Sequence, residues 1–68
     1  MPKYLERMIT EKNELDGKIR RAREAIENPP YGSDAEGLRL LGLQITAMDE
    51  YSRILTKRIE YEGGKNGQ

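Results

Sequence analysis

Two long segments of the chain carry apolar residues at alternating intervals of three and four, and this spacing restricts the possible folds more than any other feature. It is the period of a helix whose one side packs along a partner. The first segment has the seam positions Leu5, Met8, Lys12, Leu15, Ile19, Ala22 and Ile26. The second has Leu38, Leu41, Ile45, Met48, Ser52, Leu55 and Ile59. The spacing therefore predicts two amphipathic helices, over about residues 3–27 and 34–62.

The segment between the two helices has the composition of a tight corner over residues 28–33. Asn28-Pro29-Pro30 ends the first helix, because proline lacks the backbone donor and disfavours helix in the residue before it. Ser33 followed by Glu36 predicts a capping box that begins the second helix. We expect Tyr31 to pack over the end of the hairpin rather than to contact a ligand, since aromatic side chains in such positions usually bury.

A hairpin folded at this corner brings together residues whose numbers sum to about 64. Leu15 then faces Met48, and the polar exceptions of the two seams, Lys12 and Ser52, face each other. A single polar layer in an apolar seam is a device that fixes register and oligomeric state. The sequence therefore predicts one all-α domain over residues 1–62, an antiparallel two-helix hairpin, and a disordered tail at 63–68 that has three glycines and no apolar side chain.

The chain is too short and has too few apolar residues to form a large core by itself. It has 68 residues, 35% of them hydrophobic, and no cysteine that could form a disulfide. Folds of this size usually need a disulfide, a metal or an oligomer for stability. The second helix has an additional apolar line outside its seam, which a single partner helix cannot cover: Leu40, Leu43, Ala47, Tyr51 and Ile54. We therefore expect a compact homo-oligomer.

Composition also excludes several function classes. Twelve basic residues balance twelve acidic ones, which argues against binding to DNA or RNA polymers. No stretch approaches membrane-spanning length or resembles a signal peptide, so we expect a cytoplasmic protein without a membrane partner. Without histidine or cysteine, the carboxylates do not form a recognisable catalytic or metal-binding pattern. We therefore expect no enzyme activity, no catalytic residue, no metal and no cofactor.

Basic residues cluster at two places, and two readings of these clusters stay open. Lys18, Arg20, Arg21 and Arg23 fall in the first helix, and Arg53, Lys57 and Arg58 in the second. Such runs usually form a solvated, salt-bridged face. Tyrosines nearby, Tyr4 one turn from Arg7 and Tyr51 two residues from Arg53, also suit a ligand with flat bases and phosphates. Tyr51 stands at helical spacing from Met48 and Leu55 as well, which favours a core or interface position for it.

The order and spacing of these residues resemble a known family. The patterns "Y..R...E...L..K" from Tyr4 to Lys18 and "L..Q...M..Y...L..RI" from Leu41 to Ile59 are similar to those of small tailed-phage proteins that include the anti-CBASS cyclic-oligonucleotide sponges. The resemblance implies short helical proteins that assemble as homo-oligomers, typically hexamers. It implies that these proteins bind cyclic dinucleotides, and in some members cyclic trinucleotides, in pockets between protomers and do not cleave them. It also implies that they act in the bacterial cytoplasm during phage infection.

The resemblance also implies roles for individual residues. Tyr4 would stack on a base, Lys18 would contact a base or phosphate, and Arg58 would hold a phosphate. Arg7 and Arg21 are placed by the faces they occupy, and Tyr51 completes the candidate ligand-binding set. The alternative from another class is a structural or adaptor oligomer that binds a host or phage protein through the second helix.

Overall fold

The protein folds into two antiparallel helices, α1 over Lys3–Glu27 and α2 over Ala35–Asn66, in a computed structural model that describes residues 2–66. That part of the chain contains no strand, which confirms the predicted all-helical hairpin. The molecule is a rod of 52 × 15 × 15 Å. Its radius of gyration, 15.4 Å, exceeds the roughly 11 Å expected for a compact domain of this length. Oligomeric assembly stays a prediction.

The core is a single seam between the helices. Its buried apolar side chains within the described residues are Leu5, Met8, Leu15 and Ile19 of α1 with Ile45 and Leu55 of α2. Leu55 is completely buried, and it forms a cluster with Leu15 and Ile19 against which Met48 packs. Full burial of one such side chain is worth about 1.5–3 kcal/mol, so six of them make a small core for a chain of this length.

The predicted polar layer is present and has a third member. Lys12 Nζ lies 3.4 Å from Ser52 Oγ, as the pairing rule requires. Asp16, one turn along α1, accepts hydrogen bonds from Lys12 Nζ at 2.6 Å and from Ser52 Oγ at 2.6 Å. These two contacts, with that of Lys12 first, hold the pKa of Asp16 below its ordinary value of 3.8. The carboxylate completes the layer by compensating the charge that Lys12 brings to the seam.

The corner differs from the prediction in two details. Ser33 does not cap α2, because its hydroxyl donates to the Pro30 carbonyl at 2.7 Å. Asp34 is the cap instead, its carboxylate accepting from the Gly37 N–H at 2.7 Å. Gly32 adopts a φ of +88°, a conformation that glycine reaches without steric cost. This turn points Tyr31 into solvent, where it is fully exposed, so the expected packing over the hairpin end does not occur.

The C-terminal end of α2 also differs. Residues 63–66 are helical in the structure, where the sequence predicts the start of a disordered tail. An existing helix gains one backbone hydrogen bond for each added residue, which offsets the poor helix propensity of Gly63 and Gly64. Residues 67 and 68 of the predicted tail lie outside the described residues.

The additional apolar line of α2 lies on the surface. Leu40 and Leu43 are 52% and 57% exposed, Tyr51 and Ile54 are 42% and 43% exposed, and Ala47 is also exposed. This confirms that α1 covers only the seam side of α2. Over the described range, neither helix combines the length and apolar character needed to cross a bilayer.

Candidate functional site

One side of the hairpin, called here the front face, carries five of the six predicted ligand-binding residues. Helical periodicity places residues spaced three, four or seven apart on the same side, and a hydrogen bond from the Tyr51 hydroxyl to the Glu11 carboxylate joins the two helices on that side. The front face consists of Tyr4, Arg7, Glu11 and Lys18 of α1 with Tyr51 and Arg58 of α2. Arg21, the sixth predicted residue, points further outward from α1.

Both front-face tyrosines have their hydroxyls fixed by carboxylates of the opposite helix. Tyr4 donates to Glu62 Oε2 at 2.9 Å, and Tyr51 donates to Glu11. Their side chains are 46% and 42% exposed, so each ring is oriented while part of it faces solvent. A fixed, partly exposed ring loses less conformational freedom when a flat group stacks on it. The sequence analysis missed Glu11 and Glu62 as partners, although their numbers satisfy the same pairing rule that matched Lys12 with Ser52.

The predicted cationic contacts are not committed to carboxylates. Among the side chains of residues 2–64, the cations that form ion pairs are Lys12, Arg23, Arg39 and Arg53. In the same range, no carboxylate lies within ion-pair distance of any of the predicted cationic contacts, Arg7, Lys18, Arg21 and Arg58. The salt-bridged reading of the basic clusters thus holds for Arg23 and Arg53 but not for the candidate site residues. Their donors are free to bind an anion.

The hairpin separates the predicted residues into two groups along the rod. Arg58 lies one turn before Glu62, the residue that accepts the hydrogen bond from Tyr4, so Tyr4, Arg7 and Arg58 share the open end of the hairpin. Lys18 follows Tyr4 by fourteen positions, which is about 21 Å along a helix. One chain therefore does not form a single pocket from all of these residues. A ligand that touches both groups would have to contact more than one copy.

An open groove of about 470 Å³ runs along α1. Arg7 lines it together with Lys3 and Thr10, but so do three carboxylates, those of Glu6, Glu11 and Glu14. These carboxylates repel phosphate, so the groove of the single chain is a poor anion site. Of the six predicted ligand-binding residues, the groove includes only Arg7.

Comparison with known families assigns the chain to a family. The model of the family named Sequestin matches residues 2–61, which include both helices through Tyr61. The chain belongs to the Sequestin family. The family's name indicates sequestration, the holding of a molecule without its conversion, and all six candidate residues of this Sequestin lie within the matched range. No curated protein and no solved structure matches the chain.

Proposed function

We propose that this Sequestin binds cyclic oligonucleotide immune messengers of the cyclic dinucleotide and cyclic trinucleotide classes, and withholds them from their effector without cleaving them. The observation that carries the proposal is the front face, where tyrosine rings with fixed hydroxyls share one side of the hairpin with Arg7, Lys18 and Arg58, which form no ion pair within residues 2–64. Membership of the Sequestin family supports the sequestering part of the function. The resemblance to anti-CBASS sponges supports the class of ligand and places the protein in the bacterial cytoplasm during phage infection.

The chemistry of a cyclic dinucleotide fits residues of this kind. Each ligand has two phosphates and two base faces related by approximate two-fold symmetry. A homo-oligomer, a hexamer by the resemblance, would offer symmetry-related copies of Tyr4 for the bases and of Arg58 and Lys18 for the phosphates. A base stacked on an aromatic ring contributes about 1–3 kcal/mol, and a hydrogen bond to a charged group about 1.5–3 kcal/mol. A few such contacts suffice for nanomolar affinity, near −12 kcal/mol.

Binding to copies of the chain also explains how a protein of zero net charge holds an anion. The carboxylates of the front face accept hydrogen bonds from tyrosines, which leaves the guanidinium and ammonium donors for the ligand. We propose binding alone, and we expect the ligand to be released unchanged when the protein unfolds.

A second candidate function, an adaptor that binds a host or phage protein, is favoured by the exposed apolar line of α2. A continuous line of apolar side chains on a helix is the usual contribution of one helix to a helical protein interface. The two candidates make different predictions for small ligands, because an adaptor would not be stabilised by nucleotides.

The experiment mixes the purified protein with a panel of cyclic dinucleotides and trinucleotides and follows thermal unfolding. Ligand that binds only the folded state raises stability by about 2.7 kcal/mol at a hundred times the dissociation constant, so an increase in Tm is expected with at least one panel member. The bound nucleotide should then be recovered intact after denaturation. Unchanged melting with every nucleotide at millimolar concentration would contradict the proposal, and recovery of a linear product would replace sequestration with hydrolysis.

Two substitutions of one tyrosine separate its roles. Tyr4→Phe keeps the ring and removes the hydroxyl that reaches Glu62, whereas Tyr4→Ala removes both. If the ring stacks on a base, Tyr4→Ala should weaken nucleotide binding by roughly 5- to 150-fold and Tyr4→Phe by much less. Equal losses in the two variants would show that the hydrogen bond, not stacking, is what binding requires. Tyr31→Ala, at the exposed corner, is the matched control.

A further inference from the structure

We infer that α2 pairs with α2 of a second copy in antiparallel orientation, about a two-fold axis that passes beside Ala47. The proposal fixes the surface, the register and the orientation of one self-contact, which the proposed function leaves open. It does not depend on nucleotide binding, since it concerns the ligand-free protein.

The spacing of the exposed apolar line on α2 supports antiparallel pairing. Its members fall at residues 40, 43, 47, 51 and 54, intervals of three, four, four and three. This order of intervals is the same when read in either direction. An antiparallel two-fold contact places residues i and j of the two copies opposite each other when their numbers have a constant sum. Here Leu40 meets the second copy's Ile54, Leu43 meets its Tyr51, and the two Ala47 side chains meet at the axis.

The second argument is the size of the central residue. Ala47 is exposed, and it is the smallest side chain of the line, with larger exposed side chains one turn away on either side. A small residue at the crossing point lets two helix backbones approach toward the lower end of the usual 8–10 Å separation. The flanking leucine, tyrosine and isoleucine side chains can then interdigitate around the axis.

The third argument is charge. The same intervals continue by four residues at each end of the line, to Glu36 and to Arg58, whose numbers have the same sum as the apolar pairs. In the antiparallel pair, Glu36 of each copy lies opposite Arg58 of the other, so two opposite-charge contacts flank the apolar centre. A parallel pair would instead oppose like charges at both ends. Charge complementarity therefore favours a second copy of the chain as the partner of α2, in antiparallel rather than parallel orientation.

Both end residues have the capacity for this contact. Glu36 already accepts from Arg39 within its own helix, at 2.6 and 2.9 Å, in an exposed pair that can share its carboxylate with a second guanidinium. A guanidinium has five N–H donors, and one carboxylate uses two of them. Arg58 can thus contact the second copy and retain donors for a phosphate, whereas Tyr51 becomes an interface residue.

The exposed area is of the right order for such a contact. The chain exposes 5218 Å². A compact protein of the same mass exposes about 4,400 Å², so the excess is comparable with the roughly 800 Å² that each partner contributes to a standard interface. Covering the apolar line of α2 removes surface that α1 does not reach.

The test uses single cysteines in the ligand-free full-length protein, which has no cysteine of its own. Under mild oxidation, Ala47→Cys should form a disulfide-linked dimer readily, because a residue beside a two-fold axis can bring its two Cα atoms within the 4.4–6.8 Å that a disulfide needs. Thr46→Cys, the adjacent exposed position, is the control and should cross-link at least tenfold more slowly. Equal rates for the two variants would overturn the proposal.

Register is tested by mixing two variants. Leu43→Cys and Tyr51→Cys should cross-link to each other faster than either does to itself. Preferential self-cross-linking of each would indicate a parallel pair and would contradict the inference.

A charge placed at the axis provides a measurement that does not rely on oxidation. Ala47→Glu brings two carboxylates together at the two-fold axis, so it should weaken self-association at least tenfold in sedimentation experiments while circular dichroism shows the helices intact. Thr46→Glu should leave self-association within about twofold of the unsubstituted protein. A dimer unaffected by Ala47→Glu, or a protein that is monomeric at every concentration, would overturn the pairing. If the protein binds nucleotide but α2 does not pair, only the pairing is contradicted. If α2 pairs but no nucleotide binds, only the proposed function is contradicted.

Discussion

The two sides of the hairpin differ in how they connect their helices. On the front face, both cross-helix contacts join a tyrosine hydroxyl to a carboxylate, Tyr4 to Glu62 and Tyr51 to Glu11. On the opposite side, called here the back face, Arg23 pairs with Asp49 across the helices. The back face thus neutralises its arginine internally, whereas the front face uses carboxylates for tyrosines and leaves its cations available. This difference, rather than net charge, is the reason we propose the front face as the anion-binding side.

The largest expected effect is on the seam that keeps the two faces apart. Leu55 is completely buried and touches the central cluster, so Leu55→Ala should leave a cavity and destabilise the fold by about 2–5 kcal/mol. Chemical denaturation followed by circular dichroism measures the loss. Leu55→Met, which conserves volume, should cost less than about 1.5 kcal/mol. If the two variants behave alike, packing at Leu55 does not hold the faces in place.

The next largest expected effect comes from comparing two arginine substitutions in α2, one on the front face and one away from it. Arg58→Ala should weaken nucleotide binding roughly 10- to 100-fold, because a charge-assisted hydrogen bond contributes about 1.5–3 kcal/mol. Arg53→Ala is the matched control, since Arg53 is already paired with Glu50 in its own helix. Calorimetric titration with the tightest-binding nucleotide compares them. Comparable losses from both substitutions would mean that general positive charge, not the front face, binds the ligand.

A smaller effect concerns pH and the polar layer between the faces. The pKa of Asp16 is lowered in the folded state, chiefly by Lys12, so its stabilising contribution is complete above its ordinary value of 3.8 and is lost as pH falls through the lower folded value. Because the Asp16 side chain is 42% exposed, we expect this contribution to the free energy of unfolding to be less than about 1 kcal/mol.

Asp16→Asn tests this contribution. At neutral pH the variant should be slightly less stable than the unsubstituted protein, and the difference should vanish at low pH, as unfolding curves between pH 2 and 7 would show. A constant difference across that range would exclude titration of Asp16 as its source.

The smallest effect compares the cross-helix contacts themselves. Arg23→Ala should cost about 0.2–1 kcal/mol at low ionic strength and less in 1 M salt, because the pair with Asp49 is exposed and screened. Tyr51→Phe, which removes the hydrogen bond to Glu11, should have a cost that depends less on salt. Denaturation at two salt concentrations measures both. A reversed salt dependence would contradict the assignment of an ion pair to the back face.

The hairpin could be predicted because its evidence is periodic. Three- and four-residue spacing predicts both helices, and the pairing rule places Lys12 opposite Ser52, as the structure has them. Details that depend on one side-chain rotamer could not be predicted in the same way. Ser33 and Asp34 are adjacent and both are good caps, and only the turn at Gly32 decides between them.

The membership of the candidate site stays a prediction, and the arrangement of its residues could not be predicted from the sequence. Spacing and resemblance selected Tyr4, Lys18 and Arg58, yet a helix 25 residues long keeps its ends far apart, so these residues do not converge in one chain. Which cations stay without a carboxylate depends on long flexible side chains, whose choice among nearby acids the sequence does not reveal. Tyrosine hydroxyls donate to two of these acids, Glu62 and Glu11.

The most direct test of the central claim, that copies of this hairpin together hold a small anionic ligand, is native mass spectrometry of the full chain with and without cyclic dinucleotides. The account predicts a ligand-free assembly of two or more chains of 7.8 kDa each and, with ligand, the same assembly carrying intact nucleotide in fixed ratio. A monomer that binds no member of the panel would contradict it.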